Sequence, residues 1–240
     1  MIRIELAEIV MQIDNRYAYT EQLCRDYLTD KQPELFLSVT EEEIAAEDDG
    51  RRFPSGYLES VALYRKISNA ILDYNGFLLH AAVLEVDGQA YAFSADSGTG
   101  KTTHIKLWRE LFGDRCRVIN GDKPLLRVRD GEVRIYGTPW SGKEGWNTNT
   151  CAPLKALCFL ERSAQNRIFR LSDGDALPLL FGQLAMPMEE TAAIRLLDSL
   201  DRLLCTVPCY RLGCNMELEA AKVAYDAMKL KRLDTADKGC

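Results

Sequence analysis

The spacing of apolar and polar positions changes several times along the chain, and each change predicts an element. Residues 2–14 are apolar with polar interruptions and read as one or two strands. A short helix is expected over 20–28 and another strand over 35–39. Leu58, Val61, Ala62, Tyr64, Ile67, Ile71 and Leu72 recur at three- and four-residue steps, which predicts a helix that Asn75-Gly76 ends. Alternation returns over 77–86 and 89–95, and Asp87-Gly88 between them is a two-residue hairpin signal. A helix over 102–112 follows, then a short strand over 117–119. Residues 125–129 and 132–136 form a second hairpin around Asp130-Gly131. Strands at 154–160 and 167–171 precede helices at 173–185 and 189–204, which Met186-Pro187 separates. A last strand over 207–212 and a closing helix over 216–230 complete the order. No internal repeat or Pro/Ser linker breaks it, so the reading is one continuous α/β domain. Residues 1–75 are an N-terminal strand/helix elaboration packed on a core at 76–240.

The junction between the strand at 89–95 and the helix at 102–112 carries the clearest chemistry. It reads Ala95-Asp96-Ser97-Gly98-Thr99-Gly100-Lys101-Thr102-Thr103. Strand, glycine turn and helix are the context a phosphate-binding P-loop needs. Gly98 and Gly100 let backbone N–H groups converge on an anion, and the new helix points its positive end there. Lys101 would reach β- and γ-phosphates, and the Thr102 hydroxyl would sit on Mg²⁺. The Walker A signature is met except at its first position, where Ala95 replaces Gly; Ala serves there if its φ stays negative. A hairpin strand feeding such a loop implies a mixed sheet rather than parallel strands alternating with helices.

Composition narrows the partners. Net charge is −6 and 47% of residues are apolar, so neither nucleic acid nor an anionic membrane is an expected partner. No segment reaches the roughly 18 unbroken apolar residues of a membrane span, and the N-terminus lacks a signal peptide's apolar core. Eight cysteines without a C-x-x-C pair, and two histidines that complete no zinc pattern, are expected to be buried, reduced thiols in a cytoplasmic protein. The acidic run 41–49 reads as a solvated loop or helix start.

A phosphate loop needs an acid from a neighbouring strand end, and Asp122 is the candidate, as a metal holder or as acceptor of a hydroxyl proton. His80 lies in the strand before the first hairpin and is either a hydrogen-bonded core residue or a catalytic one. His104, within the following helix, is expected to be structural or exposed. The segment 137–147 is too rich in glycine and polar groups for a core element and is read as a functional loop. Its Lys143 would bring a second cation to the γ-phosphate or the acceptor. Trp140 and Trp146 either line a groove or pack the loop down. Arg127, Arg129 and Arg134 are expected to be exposed on the second hairpin.

These residues resemble a known group. His80-Ala81-Ala82-Val83-Leu84, the turn Asp87-Gly88 and Ser97-Gly98-Thr99-Gly100-Lys101-Thr102-Thr103 fall in the order seen in the HPr kinase/phosphorylase family, which shares its nucleotide-binding core with phosphoenolpyruvate carboxykinase. Asn120-Gly121-Asp122-Lys123-Pro124, Gly137–Lys143 and Val207–Leu212 resemble small bacterial members. The resemblance spans about residues 76–228. It implies a P-loop-containing core like the C-terminal part of HPr kinase and PEP carboxykinase, with a mixed sheet and flanking helices. It also implies ATP and Mg²⁺ held by Ser97, Gly98, Thr99, Gly100, Lys101, Thr102, Thr103 and Lys143, metal held by Thr102 and Asp122, and catalysis by Asp122, His80 and Lys101. The family commonly has two adjacent acids at the strand end, where this chain has Gly121-Asp122 or Asp122-Lys123, depending on register.

The expected activity is ATP- and Mg²⁺-dependent transfer of the γ-phosphoryl group to a hydroxyl, foremost serine of a peptide or protein. A small-metabolite kinase and a nucleotide-binding partner protein without turnover are the alternatives. Carboxykinase chemistry does not suit so short a chain. Homo-oligomers occur in the resembled family, but no interface signature stands out here.

Overall fold

The structure is a computed structural model and describes residues 1–230. Cys240 and the last ten residues of the core segment expected at 76–240 lie outside the described residues.

The N-terminal third forms its own layer. Strands β1 (Ile2–Leu6) and β2 (Ile9–Asp14) pair antiparallel, and β3 (Leu35–Ser38) adds in parallel to β2. Helix α1 (Ala18–Leu23) ends short of the expected span, because residues 25–27 tighten into a 3₁₀ turn. The acidic run is a helix start: α2 (Glu41–Ala46) carries a capping box in which Thr40 and Glu43 satisfy each other's backbone N–H. Helix α3 (Ser55–Ala70) buries Leu58, Ala62, Leu63 and Ile67 against this sheet. The same cluster includes Leu78, Leu125 and Tyr136 of the larger sheet, so the N-terminal layer shares a core with the rest.

The larger sheet has nine strands. The alternation read as one strand over 77–86 is in fact two strands, β4 (Gly76–Leu78) and β5 (Ala81–Val86), in different places in the sheet. Between them the backbone is taken up by other segments. Leu79 N–H donates to Pro124 O, His80 N–H to Gln183 O and Ala81 N–H to Asp122 O. Apolar periodicity runs unbroken across such a gap, so pattern alone cannot show it. Strand β6 (Gln89–Ser94) pairs antiparallel with β5 across Asp87-Gly88, both at positive φ, the turn geometry that suits a hairpin's twist. Helix α4 (Lys101–Phe112) leads to β7 (Cys116–Asn120), which pairs with β5. Strands β8 (Leu125–Arg129) and β9 (Glu132–Tyr136) form the second hairpin.

Strand β10 (Cys151–Arg162) is longer than expected because it serves two groups of strands. Its first residues pair antiparallel with β9; beyond an irregularity near Leu154 it runs parallel to β6 and to β12 (Cys209–Cys214). Strand β11 (Arg167–Arg170) edges β12. The sheet is therefore mixed, as the hairpin entry into the glycine loop implied.

Helices cover both faces. Ala82, Leu84 and Val86 of β5 face α4 and α7 (Leu218–Met228), around a buried Trp108 that touches Tyr91, Phe93, Phe112 and Tyr225. Ala81 and Val83 face the other side, under α5 (Asp173–Phe181) and α6 (Glu190–Thr206). Helix α5 stops at Gly182, short of the 173–185 expectation. Arg127 is not exposed: its guanidinium donates to Tyr74 O and Ala7 O and ties the core hairpin to the first turn of the chain.

Among the described cysteines, Cys24, Cys116, Cys151, Cys158 and Cys214 are free thiols. Cys24, Cys158 and Cys209 are buried, the other three half-buried. No helix of the described residues is long and apolar enough to cross a membrane.

Candidate functional site

The glycine turn between β6 and α4 leaves its backbone open to a ligand. Gly98 and Gly100 sit at φ +80° and +131°, values an L side chain resists, and a Cβ on either would meet open space. Their role is conformation and clearance, not packing. Ala95 is absent from the positive-φ residues, so it makes the first turn without glycine. Helix α4 begins with no side-chain cap, which leaves its first amides available. Ser97 and Gly98 are exposed; Thr99, Gly100, Thr102 and Thr103 are half-buried around the turn.

Lys101 is not the exposed loop lysine such a motif suggests. It is 9% exposed, and its ammonium donates to Ala95 O at 2.7 Å. Burial lowers its pKa, while the charges of Asp122 and Asp96 act in the opposite sense. The fold thus places both carboxylates within electrostatic reach of this ammonium.

Asp122 stands at the end of β7, where Asn120 shapes the chain. The buried Asn120 carbonyl oxygen accepts from Asp122 N–H at 2.8 Å and Lys123 N–H at 2.7 Å, and its amide donates to Thr138 O. The Asp122 carboxylate takes His80 Nε2 at 3.1 Å on one oxygen and Lys123 Nζ at 3.1 Å on the other. Burial by itself would raise this carboxyl, but the hydrogen bonds and charges of His80 and Lys123 outweigh it and hold the value at about 2. It is an ionised carboxylate, suited to orienting a donor or a cation rather than to holding a proton.

His80, in the gap between β4 and β5, is half-buried and hydrogen-bonded at both ring nitrogens. Its Nδ1 lies 3.0 Å from Gln183 Oε1, and Gln183 Nε2 donates to Asp96 Oδ1 at 3.2 Å. Both ring nitrogens face oxygen acceptors. The relay Asp96–Gln183–His80–Asp122 joins the glycine turn to the strand end. His104 is structural: Trp108 Nε1 donates to its Nε2 at 3.0 Å, and burial pushes its pKa down to about 3.

Loop 137–147 closes over Asp122. Gly142, at φ +75°, lies so close that a Cβ there would be 3.0 Å from Asp122 Cβ. Exposed Lys143 lines the same cleft as Asp122 and Lys123. Trp140 donates its indole N–H to Ser60 O at 3.0 Å and packs on Tyr64; Trp146 lies under Lys106 and Arg109. Both tryptophans therefore pin the loop down, and Trp140 also lines the cleft. Gly121 explains the missing second acid. Its N–H bonds Trp146 O, and a Cβ would come 2.8 Å from Ser141 O, so no side chain fits.

Sequence reasoning missed three residues. Arg162, at the end of β10, donates to Gly98 O at 2.7 Å and Thr99 O at 3.4 Å and braces the outside of the turn. Gln183 and Asp96 complete the relay. Only Asp96 had a local signal, its place inside the turn. Among the described residues no group of three or more His, Cys, Asp or Glu could hold a metal ion by itself.

Fold and site together define an α/β protein with an open glycine turn facing a histidine-held aspartate. A family model described as "ScmC: SynChlorMet cassette protein ScmC" matches residues 58–219, and the chain belongs to that family. This overturns the placement in the HPr kinase/phosphorylase family that the motif order had implied. No curated protein matches the sequence. Among solved structures, the Hpr(Ser) kinase/phosphatase from Coxiella burnetii is similar at 10% identity with a TM-score of 0.38, covering 62% of this chain and 95% of that one. So distant a likeness leaves function to be read from the side chains.

Proposed function

We propose that the protein transfers the γ-phosphoryl group of ATP to a hydroxyl, the acceptor being serine of a peptide or protein. The observation that carries this reading is the relay Asp96–Gln183–His80–Asp122, which joins the open glycine turn holding the buried Lys101 to an ionised carboxylate. The turn's amides and Lys101 would grip the β- and γ-phosphates, with Lys101 exchanging Ala95 O for phosphate oxygen. Thr102 and Asp122 offer hard oxygen donors for Mg²⁺, which is bound through one or two carboxylates plus substrate phosphates and neutralises the charge of the transferred group. Lys143 adds a cation from the loop.

In the transfer the acceptor oxygen bonds to phosphorus, the bridge to ADP breaks, and the hydroxyl proton leaves by way of Asp122 to water. Asp122 at about pKa 2 is a weak base. Phosphoryl transfer tolerates this, because its catalysis is mostly positioning and charge stabilisation. His80 keeps the carboxylate charged and aimed. Incubation with γ-labelled ATP, Mg²⁺ and serine peptides tests the reading: label passes to peptide with the natural chain and not with Lys101→Ala. Transfer by that variant at the natural rate removes the assignment.

One observation favours a binding role without turnover: the contact at Gly121 that excludes a second acid. In that case calorimetry shows ATP binding while no acceptor becomes labelled.

A further inference from the structure

Asp122 has a second side. Away from the glycine turn it faces a cleft of about 630 Å³ between the N-terminal layer and loop 137–147. Two aromatic pairs build the walls. Tyr19 and Tyr57 meet edge to face with centroids 6.3 Å apart, and Tyr64 and Trp140 pack at 5.5 Å. Tyr19 and Tyr57 remain 41% and 38% exposed. Trp140 is fixed by its bond to Ser60 O, so its wall is preformed.

The polar groups of the cleft are few, and their state is informative. The Ser60 and Ser68 hydroxyls are turned back onto the carbonyls of Tyr57 and Arg65 in their own helix, both at 2.7 Å. Both hydroxyls are thereby engaged within their own helix. Among the described residues, the Tyr64 hydroxyl and the Lys143 ammonium have no hydrogen-bond or ion-pair partner. Burial raises the Tyr64 phenol and the charge of Asp122 raises it further, which sets the ring beside the carboxylate. The cleft thus offers ring faces, the unpartnered hydroxyls of Tyr19, Tyr57, Tyr64 and Ser141 with the Lys143 ammonium and, at one end, an ionised acid.

We propose that this cleft is the acceptor subsite, and that it takes a peptide segment in which the hydroxyl-bearing residue adjoins an aromatic one. The proposal rests on the phosphoryl-transfer reading above. The aromatic side chain lies between the Tyr19–Tyr57 and Tyr64–Trp140 pairs, and the neighbouring hydroxyl reaches Asp122 from the side opposite the nucleotide. Such ring pairs add attraction beyond area burial, and the volume suits a ligand of several residues' reach rather than one small alcohol. Residues 1–75 then have a role: they supply one wall of the specificity pocket.

Calorimetry with the whole chain tests this, using a capped Gly-Ser-Trp-Gly tetrapeptide, the same peptide with Gly for Trp, and N-acetyltryptophanamide. The tryptophan peptide is expected to bind about tenfold or more tightly than the glycine peptide and more tightly than N-acetyltryptophanamide. The double variant Tyr19→Ala, Tyr57→Ala removes the difference. Equal affinity for the two peptides, no binding of either, or equal affinity for the amide overturns the proposal, as does discrimination that survives the double variant. Should that variant fail to fold by circular dichroism, the comparison of peptides on the natural chain still decides. A separate titration with ATP and Mg²⁺ distinguishes the failures. Peptide discrimination without ATP binding sinks the phosphoryl-transfer reading, whereas ATP binding without peptide discrimination sinks only the acceptor subsite.

Discussion

The two sides of Asp122 are made of different material. Toward residues 95–103 the wall is main chain: amides, two glycines at positive φ, and one lysine resting on a carbonyl. Toward residues 1–75 the wall is side chain, four aromatic rings drawn from α1, α3 and loop 137–147 and from its neighbours. A wall of main chain suits a ligand that is the same in every turnover, because N–H groups recognise any anion of the right size. A wall of rings suits a ligand that has to be chosen. The difference also decides how each can be damaged: the first by changing charge or backbone, the second by changing volume.

The largest blow falls on the main-chain side. Lys101→Ala should lower phosphoryl transfer by about a thousandfold, the scale on which a preorganised charge acts, while stability shifts by about 1 kcal/mol; labelled-phosphate assays and thermal melts read the two. A variant that keeps its rate would mean the ammonium is only a support for Ala95 O. Gly121→Asp, which would restore the second acid on paper, should instead destabilise the fold by about 3 kcal/mol, because its Cβ meets Ser141 O. Denaturant titration checks this, and a stable, more active variant would break the account of the missing acid.

A pH experiment sharpens the role of the carboxylate between the walls. Its folded value is about 2 against an ordinary 3.8. Between these values the unfolded chain holds more protons, so stability rises with pH there. The contribution, about 2 kcal/mol, is complete above roughly pH 4 and is lost as pH falls through the folded value. Urea unfolding of the natural chain and Asp122→Asn from pH 5 to 2 should show the difference shrinking toward acid; a constant difference rejects it. The smallest effect is expected for Arg162→Ala. Freeing the carbonyls of Gly98 and Thr99 should weaken ATP binding by about fivefold, the net worth of one ordinary hydrogen bond, without altering peptide discrimination. Calorimetry reads both.

How much was legible in the sequence follows the same division. The glycine turn was visible because its determinants are consecutive: two residues that tolerate positive φ, a lysine, and a helix start. Asp122 was found because it ends a strand close behind the turn. Strand β10 showed only its apolar middle, since its first residues, Cys151-Ala152-Pro153, pair with a different partner strand. The break at His80 was hidden, because the apolar alternation continues through residues whose backbone bonds go to Pro124, Gln183 and Asp122. The relay through Gln183 joins positions 103 and 87 residues apart, for which no spacing rule exists. The order of motifs led to the wrong family, since a short glycine turn does not by itself report ancestry.

The bond between Lys101 and Ala95 O has a consequence for ligand capture. An ammonium this enclosed, left with no oxygen to face, would favour shedding its proton or swinging outward; the carbonyl gives it a berth while the turn is vacant. On the phosphoryl-transfer reading proposed above, arrival of a polyanion would be a swap of one oxygen for another, with the cation already dry and aimed. Affinity is reduced by the bond given up, and in return the turn is ready at the moment of encounter.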